Sequence, residues 1–215
     1  MKTPCLTLIL FGALTFVQSA FSFIIPAVGF INIQLEPGFN LISVPLKLPN
    51  SEIAAVFGTQ NNLPDGLTIY IMEGGNFYGT TYFASTGRFE PTDIAQESIG
   101  PGRAFFVYNP SPAQVLLTFA GEVPQGRLTN FLPAGFSAVA PMIPKSGTLT
   151  QQEFPTAAGD TVYLWNARIQ TFYGSTFDDI DNAWLPREES ITAGEGFILF
   201  KRQPAEWTID FALNQ

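Results

Sequence analysis

"FYGTTYF", residues 77–83, returns in the second half of the chain as "FYGSTFD", residues 172–178. One aromatic phrase can recur by chance. Four further landmarks recur with it, in the same order. "PGFNLISVPL" (37–46) finds a counterpart in "AGFSAVAPMIP" (134–144), and "DGLTIYIM" (65–72) in "GDTVYLW" (159–165). "FEP" at residues 89–91 matches "WLP" at 184–186. The block "SIGPGRAFFVYNPSPAQVLLTFA" (98–120) aligns without gaps on "SITAGEGFILFKRQPAEWTIDFA" (190–212), mostly apolar opposite apolar. Five landmarks in register imply an internal duplication. The junction falls near "GEVPQGRLTNFLP", which divides the chain into 1–22, a first unit at 23–122 and a second at 123–215.

Within each unit the pattern is that of strands. "LTIYIM" and "NFYGTTYF" flank a two-glycine turn and read as a hairpin; "TVYLW" and "QTFYGSTF" do the same around "NARI". "RAFFVYN" and "QVLLTFA" flank "PSPA", and "EGFILFK" and "EWTIDFA" flank "RQPA"; both read as hairpins with proline at the corner. "INIQL" and "RLTNFL" would open the two units. The best helical segment is "NSEIAAVFG", with Ser51 placed to cap and Gly58 to end it; "TLTQQEF" holds the matching place in the second unit. The expected fold is all-β: two homologous antiparallel β-sandwich or barrel-like units in tandem.

Composition agrees. The 215 residues include 19 Gly, 17 Pro and 21 Phe but only 13% charged residues. Few charges, many turn formers and many rings suit short strands better than helices. The formal charge of −8 would repel a phosphate backbone, which argues against a nucleic-acid partner.

Residues 1–22 begin with Lys2, continue through an apolar run and end in small residues. That is the pattern of a secretory signal peptide, and it places the mature chain in a secreted, periplasmic or cell-surface setting with no membrane span after cleavage. Cys5 lies inside it, so the mature chain has no thiol, and histidine is absent throughout. The common hydrolase triads and zinc sites lose their nucleophile, base and ligands, and no cofactor is expected.

Three groups of residues are candidates for binding. The paired aromatics Tyr78, Tyr82, Tyr173, Trp165 and Trp184 could present flat faces to sugar rings, or could knit hairpins and fill cores. Adjacent residues of a strand point to opposite faces, so Phe77 and Tyr78 cannot both enter one core; one of each pair faces outward or into a groove between units. Asp178, Asp179 and Asp181 are a weak candidate for a calcium loop, without the EF-hand spacing. Asp178, Asp179, Glu188 and Glu189 could supply a glycosidase pair, although nothing singles one out. Gly102 and Gly194 are expected at positive φ ahead of a strand. The next residues, Arg103 and Glu195, read as two solvated side chains, with an ion pair across stacked units as the alternative.

The combination "PGFNLISVPL", "IYIM", "NFYG", "FFVYNP" and "TFAGEV" resembles a module of secreted proteins of Verrucomicrobia and Planctomycetes. In that module "GWNLISVPL" opens the unit and a glycine–aromatic strand closes it. Phe39 stands where the pattern often has tryptophan. The resemblance covers nearly all of the mature chain, twice. It implies a secreted β-rich protein and carries over no catalytic residue.

The expectation is therefore an exported, non-catalytic structural or interaction protein, engaging copies of itself or other surface proteins. A carbohydrate-binding module for polysaccharide is the first alternative, and a carboxylate-dependent glycan-active enzyme the second.

Overall fold

The computed structural model describes residues 27–213. The segment read as a signal peptide, 1–22, lies outside the described residues. The first unit runs β1 (Val28–Leu35), β2 (Gly38–Ser43), α1 (Ile53–Gly58), β3 (Thr68–Glu73), β4 (Asn76–Phe83), β5 (Arg88–Glu90), α2 (Thr92–Ala95), β6 (Ala104–Asn109) and β7 (Val115–Glu122). The second runs β8 (Gly126–Leu132), β9 (Gly135–Val139), β10 (Gly147–Thr148), β11 (Thr161–Asn166), β12 (Thr171–Asp178), β13 (Ala183–Leu185), β14 (Ser190–Ile191), β15 (Phe197–Lys201) and β16 (Ala205–Phe211).

The two units share one topology. In the first, a five-stranded sheet β2-β6-β3-β4-β5 faces a ribbon β1-β7; in the second, β9-β15-β11-β12-β13 faces β8-β16. Every pairing is antiparallel. The fold is all-β and tandem, as the repeats imply. Among the described residues no sheet closes on itself, so the units are sandwiches rather than barrels. Each unit also keeps a cis proline at the same landmark, Pro91 and Pro186.

The β3–β4 and β11–β12 hairpins form where expected. The proline corners do not. β6 pairs with β2 and β3, and β7 pairs with β1, so "PSPA" carries the chain from one sheet to the other. β15 and β16 part in the same way at "RQPA". A short turn between two alternating strands looks alike in sequence whether the strands pair or switch sheets. Asn109 fixes the first corner: its Nδ2 donates to Ala113 O (2.9 Å) and its Oδ1 accepts from Ser111 N–H (3.0 Å). The short helix read in "NSEIAAVFG" forms as α1, and a second, α2, follows the cis proline where no helix was expected. Ser51 does not cap α1: the N-cap position falls on Glu52, which makes no side-chain cap, and Ser51 Oγ bonds Ser98 Oγ at 2.7 Å; "TLTQQEF" forms turns.

The recurring phrase has a packing reason. In each hairpin its glycine sits directly opposite a tyrosine, Gly79 with Tyr70 and Gly174 with Tyr163. A Cβ on Gly79 would lie 2.7 Å from Tyr70 Cε1, and one on Gly174 would lie 2.0 Å from Val162 O. Only glycine lets the neighbouring chain come this close.

Alternation gives each sheet two apolar faces. The inner faces build one core per unit, around Phe57, Ile69 and Phe105 in the first and Leu164, Phe197 and Trp207 in the second. The outer faces meet in a third cluster of Leu41, Ala104, Phe106, Ala138, Ala140 and Ile198. This seam is two-fold in character. Ser43 N–H donates to Gly194 O (2.8 Å), and its counterpart Ala140 N–H donates to Gly102 O (3.1 Å). Ile42 bridges Glu195 as Val139 bridges Arg103. Each contact thus has a partner with the units exchanged, which is the logic of an isologous dimer. On the axis, the equivalent residues Ala104 and Gly196 meet: a Cβ on Gly196 would lie 2.2 Å from that of Ala104. Gly102 and Gly194 hold the turns of the seam at φ of +88° and +92°, as their positions before strands require.

Candidate functional site at the seam

Phe106 leaves the first core because Phe105 occupies it, and its ring is 8% exposed in the seam. Around it stand Phe39 (centroids 6.1 Å apart), Phe77 (5.7 Å), Trp165 (5.7 Å) and Phe172 (6.2 Å). Trp165 and Phe172 are edge to face at 4.7 Å, and Tyr70 lies 6.0 Å from Phe39. These six rings line an open hollow of about 370 Å³. Phe77 and Phe172 are the equivalent phenylalanines of the two "FYG" phrases, so the repeated motif supplies one ring from each unit. The edge-to-face geometry contributes about 0.5–1.5 kcal/mol per pair beyond burial. The indole N–H of Trp165 is spent on Phe39 O (2.7 Å).

Behind Trp165 lies a second, polar cleft of about 480 Å³. Asn32, Asn40, Asn166, Arg168, Tyr173 and Glu195 are among its lining residues. Burial raises the Tyr173 phenol above its ordinary value, with Glu195 and Glu189 adding to the shift by making the phenolate repulsive.

The five aromatics named from sequence separate. Trp165 lines both hollow and cleft, and Tyr173 lines the cleft. Tyr78 is 45% exposed and lines neither. Tyr82 packs on Phe89 (5.3 Å) at the edge of the first core. Trp184 is only 6% exposed; it replaces Phe89 in the second unit and packs on Phe177 (5.5 Å). It packs in the second core and also lines a hollow of about 460 Å³ with Phe154 and Phe177.

Three of the acidic candidates, Asp178, Glu188 and Glu189, have internal partners; Glu188 Oε1 accepts from Thr150 N–H (2.6 Å). Asp178 Oδ1 accepts from Ile180 N–H (2.8 Å) and Asp181 N–H (3.4 Å), closing a turn. Among the described residues no three carboxylates gather as a metal site would require. Glu189 is buried, accepts from Ser175 Oγ (3.0 Å) and pairs with Arg187. Arg103 and Glu195 neither pair with each other nor stand free. Arg103 reaches Glu73 (3.3 Å) and Glu97 (3.5 Å), and Glu195 Oε2 accepts from Thr192 N–H (2.8 Å).

Neither Phe106 nor, beyond its place in the "GWNLISVPL" pattern, Phe39 is a binding candidate in the sequence. The signal for Phe106 is there: adjacent phenylalanines in "AFFVYN" cannot share a core, the rule already applied to Phe77 and Tyr78. No helix among the described residues is long and apolar enough to cross a membrane. No family model matches the chain, and no curated protein or solved structure matches it.

Proposed function

We propose that this chain is an exported, non-catalytic interaction protein of the cell surface or extracellular space, gripping an apolar or aromatic side chain of another surface protein in the seam hollow. The observation that carries this reading is the lining: six aromatic residues, contributed by both units. Concave, ring-lined surfaces are where aromatic anchors of a partner bury. The test is a photo-cross-linking residue at Phe172 in producing cells, with one at Ile180, 90% exposed on a distant turn, as control. A discrete adduct at position 172 alone is expected, and Phe77→Ser should abolish it. Equal labelling from both positions, or none, overturns the reading.

A second reading rests on the polar cleft. Tyr173 beside side-chain amides suits a sugar better than the hollow does, since a pyranose needs hydrogen bonds as well as a stacking face. Its test is quenching of Trp165 fluorescence by soluble polysaccharides, with loss in Tyr173→Ala. The glycan-active alternative has less support, because Asp178 and Glu189 are held by internal partners.

A further inference from the structure

The seam has two ends related by its two-fold character, and they differ in one respect: one is closed by the chain itself. At the closed end the β11–β12 turn carries four residues, 167–170. Gln170 Oε1 accepts from Phe39 N–H (2.8 Å), and its Nε2 donates to Phe39 O (3.0 Å). The carboxamide thus acts as a short piece of strand laid on the free edge of β2. It lies so close to Gly38 that a Cβ there would be 2.7 Å from Oε1.

At the other end the equivalent backbone is Gly135 and Phe136 on β9. The equivalent turn, between β3 and β4, has only Gly74 and Gly75, neither of which has a side chain to reach across. A Cβ on Gly135 would meet nothing within 4 Å. A hollow of about 640 Å³ remains, lined by Met72, Gly74, Gly75, Pro133, Gly135 and Phe136 among others. Ala140 N–H points out of the sheet, to Gly102 O. Phe136, on β9, lies four residues before Ala140, which directly follows that strand, so alternation aims its N–H and C=O outward too. Among the described residues no loop, turn or cap hydrogen bond reaches either.

We infer that this open end of the seam docks a turn of a partner polypeptide presenting a glutamine side chain, which pairs with Phe136 as Gln170, at the end of its own turn, pairs with Phe39. The hollow is continuous with the seam, and the molecule's other end shows what fits it. One donor and one acceptor at strand spacing match a planar primary carboxamide or a peptide edge. A charged ligand finds no free counter-ion, because Glu73, which also lines the hollow, is paired with Arg103 at 3.3 Å. This site is separate from the aromatic hollow of the proposed function, so either can fail without the other.

The probe is a labelled peptide copying residues 164–172, LWNARIQTF, titrated against the intact protein by fluorescence anisotropy. Saturable binding is expected. Leucine in place of the peptide's glutamine should weaken it by about tenfold or more, the loss of two hydrogen bonds. Exchanging Gly74–Gly75 for Ala-Arg-Ile-Gln should close the site from within and abolish binding. Should that exchange misfold, Phe136→Pro removes the outward N–H without touching a ladder bond, and should weaken binding by a similar factor. Ile180→Ser, on the distant exposed turn, should leave binding unchanged. Absence of saturable binding at millimolar peptide, equal binding of the leucine peptide, or full binding to Phe136→Pro overturns the inference.

Discussion

Where the first unit buries Leu67, the second buries Asp160; where the first turns its sheet-switching corner on Asn109, the second uses Lys201. The backbone around the exchange is unchanged. Gly66 N–H donates to Tyr82 O at 2.9 Å, and Gly159 N–H donates to Phe177 O at the same distance. Asp160 and Lys201, 0% and 2% exposed, pair with each other; Lys201 Nζ also donates to Pro155 O (2.8 Å) and lies 5.5 Å from the centre of the Phe154 ring. Asp160 Oδ2 further accepts from Ala157 N–H (2.9 Å), while Oδ1 has no partner. One frame therefore tolerates either an apolar or an ionic filling at the same point. The ionic one is worth little in itself, since desolvation offsets the attraction, but it is costly to break from one side.

The sharpest way to break the comparison is to remove half of that pair. Lys201→Met should leave a buried carboxylate without its cation and lower stability by about 3–5 kcal/mol in urea unfolding. Adding Asp160→Leu, the residue of the first unit, should recover most of the loss. If the double variant is as unstable as the single one, the two fillings are not interchangeable.

The glycines opposite tyrosine come next. Gly174→Ala would drive its Cβ against the backbone oxygen of Val162, which cannot give, whereas Gly79→Ala meets a tyrosine ring that can turn. We expect about 2–3 kcal/mol for the first and about 1 kcal/mol for the second, within the range for overpacking. Equal costs would mean that the second hairpin yields as readily as the first.

On the seam axis, Gly196→Ala should cost about 1–3 kcal/mol, and Ala104→Gly in the same chain should recover part of it. Additive costs in that double-mutant cycle would show that the two residues do not meet.

The smallest effect concerns Tyr173. Its phenol keeps its proton to higher pH in the folded state than in the unfolded one. Below about pH 10, the ordinary tyrosine value, both states are protonated and the contribution is fully present. As pH rises through the folded value the contribution is lost. The difference between Tyr173→Phe and the parent in unfolding curves should therefore change only at alkaline pH. A constant difference from pH 7 to 12 would place the phenol in free solvent.

Much of the frame was legible in the sequence because it rests on short-range signals. Alternation in "LTIYIM", turn residues in "EGGN" and the order of the landmarks suffice for the strands, the hairpins and the doubling. What escaped depends on partners far along the chain. "PSPA" has the same residues in a hairpin as in a corner, and only the pairing of β7 with β1 decides between them. That Trp184 is mostly buried follows only from its equivalence to core Phe89. Asp160 resembles any loop acid until Lys201 arrives beside it. The aromatic hollow was half visible: the "FYG" phrase marks Phe77 and Phe172, but their convergence needs the two outer sheet faces to meet.

The two-fold seam has a consequence for ancestry and drift. A lone copy of the unit would carry both halves of a self-complementary surface, so it would be expected to associate as a homodimer. Tethering two copies in one chain replaces that bimolecular encounter with an effective concentration in the millimolar range. Selection to keep both ends of the contact alike is then relaxed. A four-residue turn on one side and a two-residue turn on the other is the sort of divergence that covalent fusion permits and a symmetric pair forbids.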